Sequence, residues 1–145
     1  FVVLVNELIR PDLFHVKKQM ASSKEVIDFL CDELISKNLA DERYKEDVFK
    51  RESVSATSFV NGFAVPHSIE ITSKESCISI MILDKPVKWG DFEVKLVLLL
   101  AIRDTDSHLL KIFFDWLSSI VSDSNKFRQL LEVKNYQEFI QHVIE

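Results

Sequence analysis

A histidine follows a short apolar run and a proline in the stretch Asn61-Gly62-Phe63-Ala64-Val65-Pro66-His67-Ser68. Proline cannot donate a ladder hydrogen bond and fixes its own φ, and the residue before it is pushed toward extended geometry. A strand is therefore cut off as it reaches an imidazole, which places His67 at a strand end within reach of solvent and partners. Upstream stand Arg51 and Glu52, then Ser53, Ser55 and Thr57. If the fold joins these segments, the site holds one nucleophile, one guanidinium and several hydroxyls. Neutral imidazole is nucleophilic near pH 7 because its ordinary pKa is about 6.5. Arginine is a rigid donor fork suited to an anion.

Something must position these groups, and composition bounds what that can be. The chain has 145 residues, of which 47% are apolar. That fits one domain spanning 1–145, and at this size folding hides about 68–70% of the surface the unfolded chain exposes. Lys and Arg total 18 against 23 Asp and Glu, a formal charge of −5. A phosphate backbone would be repelled overall, so direct nucleic-acid binding is not expected. Cys31 and Cys77 sit in apolar-patterned segments and match no metal spacing. They read as buried thiols in a reducing cytoplasm. The apolar stretch from Val94 to Ile102 is too short to span a membrane, and no basic segment precedes a cleavable apolar one at the start. The chain begins at Phe1 rather than methionine, and we expect it to be excised from something larger.

Ser22-Ser23-Lys24-Glu25 is a capping box, and Val26, Ile27, Leu30, Cys31, Leu34 and Ile35 recur at helical spacing, predicting a helix to about Lys37. Asp41 caps a second helix with Tyr44, Val48 and Phe49 inward, ending near Arg51-Glu52 where a Ser/Thr-rich loop begins. Phe63 to Val65 is a short strand. Ser76 to Leu83 alternates Ile78, Ile80 and Ile82 with Ser79, Met81 and Leu83, as a buried strand does. Pro86 and Gly90 punctuate the next segment, with Val87 and Trp89 in a separate edge strand. The near-continuous apolar run Val94–Ile102 needs cover on both faces. Three helices supply it: one after Asp106 or Ser107, with Leu109, Leu110, Phe113, Phe114, Leu117, Ile120 and Val121 inward; one from about Ser124 to Leu131; and a last one opened by Asn135 and Glu138, burying Phe139, Ile140, Val143 and Ile144. Helices alternating with short strands imply an α/β fold, a single domain with a mixed central sheet and helices on both faces.

Arg51-Glu52, Ser55-x-Thr57, Phe63-Ala64-Val65-Pro66-His67, the Lys85-Pro86-Val87-x-Trp89 segment, the apolar strand and His108-Leu109 opening a helix together resemble the IIA domain of the bacterial phosphotransferase system, fructose and mannitol type. The resemblance runs from about Leu8 to the end. It implies that His67 accepts a phosphoryl group from the phosphohistidine of the carrier protein HPr and can pass it to a IIB domain. It implies that Arg51 steadies the group and that His108 is the second active-site histidine. Glu52 is expected to orient Arg51 or an imidazole, with Ser55 and Thr57 as hydroxyl donors. His-to-His transfer needs no metal and no external cofactor.

Transport-associated members often carry glycine near the threonine and after the histidine, whereas here Ser58-Phe59-Val60 follows Thr57 and Ser68 follows His67. The Trp89-Gly90 element and the ending Tyr136-Gln137-Glu138-Phe139-Ile140 are similar to IIA-like domains at the C-terminus of transcriptional activators and antiterminators with phosphotransferase regulation domains. The leading expectation is a cytoplasmic sensory module whose phosphorylation biases contacts with other domains of the same regulator. A working carrier that feeds IIB and a sugar permease, and a degenerate docking module that kept only the fold, are the other two readings. His15 and His142 are taken as surface or satisfied residues, and Trp89 with Phe113 and Phe114 as core, with an aromatic near the site as the alternative that would help dock a partner.

Overall fold

The computed structural model describes residues 7–70 and 73–144. The start at Phe1 lies outside them. A five-stranded sheet of order β1-β4-β5-β3-β2 forms the middle layer. Its strands are β1 (Ile9–Lys18), β2 (Ser58–Phe59), β3 (Phe63–Ala64), β4 (Cys77–Trp89) and β5 (Phe92–Ala101). β1 runs parallel to β4 and β3 parallel to β5, while β4–β5 and β2–β3 are antiparallel, so the sheet is mixed.

Alternation along the two central strands splits the core in two. Ile78, Ile80, Ile82, Leu96, Leu98 and Leu100 join one buried cluster with α3 (His108–Val121), α4 (Ser124–Leu131) and α5 (Tyr136–Ile144). Cys77, Met81, Leu83, Val97, Leu99 and Ala101 join the other with α1 (Ser23–Ser36) and α2 (Glu42–Val54). Side chains on a strand point alternately to opposite faces, so both layers can be apolar only in a sheet covered on both sides.

The capping signals act as expected. Ser22 Oγ accepts from the Glu25 N–H while the Glu25 carboxylate accepts from the Ala21 N–H. Asp41 caps α2, and Asn135 with Glu138 fixes the entry to α5. Several expectations are corrected. The sequence pattern marks no element at β1, which is an edge strand carrying Pro11, with irregular register against β4; an edge tolerates the missing donor. Val87 and Trp89 are not a separate edge strand, because β4 continues through Pro86 at a register shift between Ile82 and Val87. α2 runs on to Val54, so Arg51 and Glu52 lie in its last turn. Phe114 is 44% exposed, Ile144 is also exposed, and Trp116 takes the buried place on α3.

Gly90 opens the tight β4–β5 turn with φ +62, where a Cβ would come within 2.6 Å of the Ala56 Cβ. Only glycine lets the hairpin tip pack on the Ser55–Thr57 segment. Ser58 Oγ then donates to the Trp89 carbonyl and pins the two together.

Candidate functional site

His67 sits just past β3, in an isolated parallel bridge with Leu100, and is half-buried. The Leu100 N–H donates to the Pro66 carbonyl at 3.0 Å. The hydroxyl of fully buried Tyr44 donates to the carbonyl of the same Leu100. The strand end under the imidazole is thus held from α2. His67 Nδ1 lies 2.8 Å from the Val65 carbonyl. A carbonyl only accepts, so in the neutral ring Nδ1 carries the proton and Nε2 the free lone pair.

A second chain of hydrogen bonds reaches the same place from the end of α2. Glu52 accepts from the Thr57 N–H at 2.6 Å and the Thr57 hydroxyl at 2.7 Å, and from Trp89 Nε1 at 3.1 Å. The Thr57 carbonyl accepts from the Val65 N–H at 3.0 Å. Glu52, Thr57, Val65 and His67 therefore form one connected series. In this structure Glu52 meets Thr57 and Trp89 rather than Arg51 or an imidazole. Thr57 is 6% exposed and its hydroxyl proton is already committed.

Arg51 donates through Nη1 to the Ser55 carbonyl at 2.6 Å and makes no salt bridge among the described residues. It shares no hydrogen bond with His67, so Arg51 and Ser55 stand at the end of α2, and His67 is tied to that end through Thr57 and Val65. Ser55 is exposed.

Beside His67 opens a cavity of about 210 Å³, walled by Ile102, Leu110 and Phe114 and edged by Ser68 and Ser107. Ser107 and exposed His108 mark the start of α3, whose first N–H groups lack helical partners and give that end a partial positive charge. The loop leading there is braced by Ser76, whose hydroxyl donates to Asp106 while accepting from the Arg103 N–H. That hydroxyl and then the Arg103 guanidinium hold the Asp106 carboxyl below its ordinary range. Composition gave no warning of Phe114 at the rim, nor of the Tyr44 and Trp89 contacts, since each depends on tertiary approach.

The model of the family described as phosphoenolpyruvate-dependent sugar phosphotransferase system, EIIA 2, matches residues 7–145. The chain belongs to that family. It is 30% identical over 92% of its length to the probable licABCH operon regulator of Bacillus subtilis (strain 168), of which it covers 21%. It is 29% identical to the mannitol-specific phosphotransferase enzyme IIA component of Halalkalibacterium halodurans, covering 92% of each chain. The chain thus spans about a fifth of the regulator and nearly all of the IIA component. In fold, this EIIA type 2 domain superposes on the Escherichia coli complex of enzyme IIA-mannitol and phosphorylated enzyme IIB-mannitol with a TM-score of 0.81, at 16% identity, covering 94% of this chain and 99% of that one. Among the described residues no helix is long and apolar enough to cross a membrane.

Proposed function

We propose that this EIIA domain is a cytoplasmic phosphoryl acceptor that takes the group from the phosphohistidine of HPr onto Nε2 of His67. The observation that carries the reading is the Nδ1 contact with the Val65 carbonyl, which leaves Nε2 as the nucleophile beside an open cavity. The P–N bond of the donor breaks as the Nε2–P bond forms. No proton moves, because Nδ1 keeps its own. The phosphoryl group brings a charge of roughly −1.5 to −2 and three acceptor oxygens. Arg51, without an ion-pair partner among the described residues, supplies positive charge, and exposed His108 at the start of α3 supplies a ring N–H donor. Ser55 adds a hydroxyl. Glu52 and Thr57 act as positioning residues through Val65. In-line transfer between two proteins requires an accessible ring, which a half-buried His67 provides.

The likeness to an operon regulator over 92% of the chain supports a regulatory role, with the phosphoryl group altering contacts to the other domains of an activator or antiterminator carrying phosphotransferase regulation domains. The mannitol IIA relative, matched along nearly its whole length, supports a second reading: a carrier that passes the group to IIB. Incubation with phosphoenolpyruvate, enzyme I and HPr should add one acid-labile phosphoryl group, and His67→Ala should abolish it. Undiminished labelling of that variant rejects the assignment. Adding candidate IIB proteins then separates the two readings, since only a carrier loses its label to IIB.

A further inference from the structure

His67 is followed by a turn, Ser68-Ile69-Glu70, that burial does little to hold, since Ile69 is 53% exposed and Glu70 is exposed as well. Polar contacts hold it instead. The Ser68 hydroxyl donates to the Glu70 carbonyl and closes the turn on itself. The Glu70 N–H donates to the Asp47 carboxylate at 2.7 Å, and Arg43 Nη2 donates to the Glu70 carboxylate at 3.3 Å. Both partners lie on α2. The Arg43 pair is exposed at both ends and worth little. Asp47 is half-buried and its bond is charge-assisted, so it carries the turn.

The same helix grips the chain ahead of the imidazole. Tyr44 holds the Leu100 carbonyl, while the Leu100 N–H holds the Pro66 carbonyl. Asp47 stands three residues after Tyr44, and Arg51 four residues after Asp47, the spacing that puts side chains on one helical face. One stripe of α2 therefore pins the segment on both sides of His67 and ends at the guanidinium. Between the two anchors the ring reaches back to the Val65 carbonyl, 2.8 Å from Nδ1. Pro66 locks its own φ on the N-terminal side. The torsions after His67 have no such lock. A freed turn would let the His67 backbone rotate and return Nδ1 to water, and each added conformer lowers the fraction of molecules in the competent one.

We propose that Asp47 is a positioning residue for phosphorylation of His67: by holding the Glu70 N–H it keeps Nδ1 on the Val65 carbonyl and Nε2 free beside the cavity. The inference rests on the proposed role of His67 and adds the residue that sets the competent ring.

The test reads the ring and the reaction separately. In ¹⁵N-labelled protein at about pH 8.5, above the ordinary imidazole range, the ring nitrogens of His67, assigned by their loss in His67→Ala, should show the Nδ1–H form. Asp47→Ala should move them toward the mixed pattern of a solvated ring. It should also lower the rate at saturating phospho-HPr about tenfold with KM little changed, the loss of about one charge-assisted hydrogen bond. Asp47→Asn keeps an acceptor oxygen and drops the charge, so it should restore the ring pattern and most of the rate. Arg43→Ala should keep the parent ring pattern. A parent that takes no phosphoryl group on His67 defeats the phosphorylation reading itself. With the parent phosphorylated there, the inference fails if the parent ring is not in the Nδ1–H form, or if Asp47→Ala keeps the parent ring pattern or the parent saturated rate. It fails equally if Asp47→Asn matches Asp47→Ala, or if Arg43→Ala shifts the ring as far as Asp47→Ala does.

Discussion

On one face of the sheet, α1 and α2 cover a layer in which Cys31, Tyr44, Cys77 and Trp89 lie among aliphatic side chains. On the other, α3 to α5 cover a layer of aliphatic and aromatic residues in which Phe113, Trp116 and Phe139 touch edge to face or tilted. The first layer carries polar ends that reach out to the site: Tyr44 to the Leu100 carbonyl, Trp89 to Glu52. The second instead leaves Phe114 exposed at the cavity rim. A group-transfer site needs one wall that fixes the nucleophile and one that a partner can cover. On the proposed reading of His67, those two walls fall on opposite faces of one sheet.

The sharpest way to break this division is Glu52→Ala. It strips the acceptor from Thr57 N–H, Thr57 Oγ1 and Trp89 Nε1 at once. Leaving such groups unpaired costs about 1–3 kcal/mol each, and with partial rescue by solvent we expect about 3 kcal/mol in total. For a domain of this size that lowers Tm by roughly 6–12 °C. A fall of less than a couple of degrees would show that the series from Glu52 to His67 bears little load.

Raising the pH sharpens the comparison next. Burial pushes the Cys31 and Cys77 thiols up to about 12, and pushes Tyr44 up as well. The folded state therefore keeps these protons more tightly than the unfolded chain. Stability is full below about pH 9 and falls as pH climbs toward the folded values, by roughly 1.4 kcal/mol per thiol at pH 10. All three groups lie in the α1–α2 layer. Amide exchange in α1 and α2 should accelerate relative to that in α3 to α5 between pH 8 and 10, after correction for intrinsic rates. Cys31→Ala/Cys77→Ala should flatten the pH dependence of urea unfolding, and an unchanged slope would assign the alkaline loss elsewhere.

Tyr44→Phe probes the same wall more gently. It leaves the Leu100 carbonyl short of its donor, at a cost of about 1–2 kcal/mol, and loosens the strand end beneath His67. Phosphorylation of His67 should slow with little change in far-UV circular dichroism. Parent-like transfer together with parent-like stability would remove Tyr44 from the positioning set.

Legibility in the sequence depends on how local each signal is. Caps act within four residues, so Ser22 with Glu25, Asp41, and Asn135 with Glu138 announced three helices. The run Val94–Ile102 announced a strand covered on both faces because almost no polar residue interrupts it. Pro66 marked the strand end at His67. What escaped depends on distant partners. β1 hides behind Arg10, Pro11 and Asp12 with a broken register, and only β4 makes it a strand. Pro86 resembled a terminator but sits at a register shift inside β4. Glu52 faces Thr57 and Trp89 because Gly90 lets the hairpin tip approach Ala56, a contact no spacing rule contains. On α3, helical periodicity allows either Phe114 or Trp116 on the inner stripe, and the packing of α5 through Phe139 decides for Trp116.

That last choice yields the smallest change in stability and the cleanest separation of the two walls. Phe114 is exposed and touches Phe113 edge to face at 5.1 Å. Truncating it to alanine opens no interior cavity, so stability should move by no more than about 0.5–1 kcal/mol. A partner covering the rim would bury this ring, and an aromatic anchor at the centre of an interface is commonly worth more than about 1 kcal/mol. Phe114→Ala should therefore lower the rate of phosphorylation by phospho-HPr about tenfold at subsaturating donor, with the rate at saturation little changed. Glu52→Ala should instead depress the saturated rate, because it disturbs the ring rather than the encounter. If Phe114→Ala lowers only the saturated rate, or lowers Tm as much as Glu52→Ala does, the α3 side is part of the fixed wall and the assignment of the two faces is reversed.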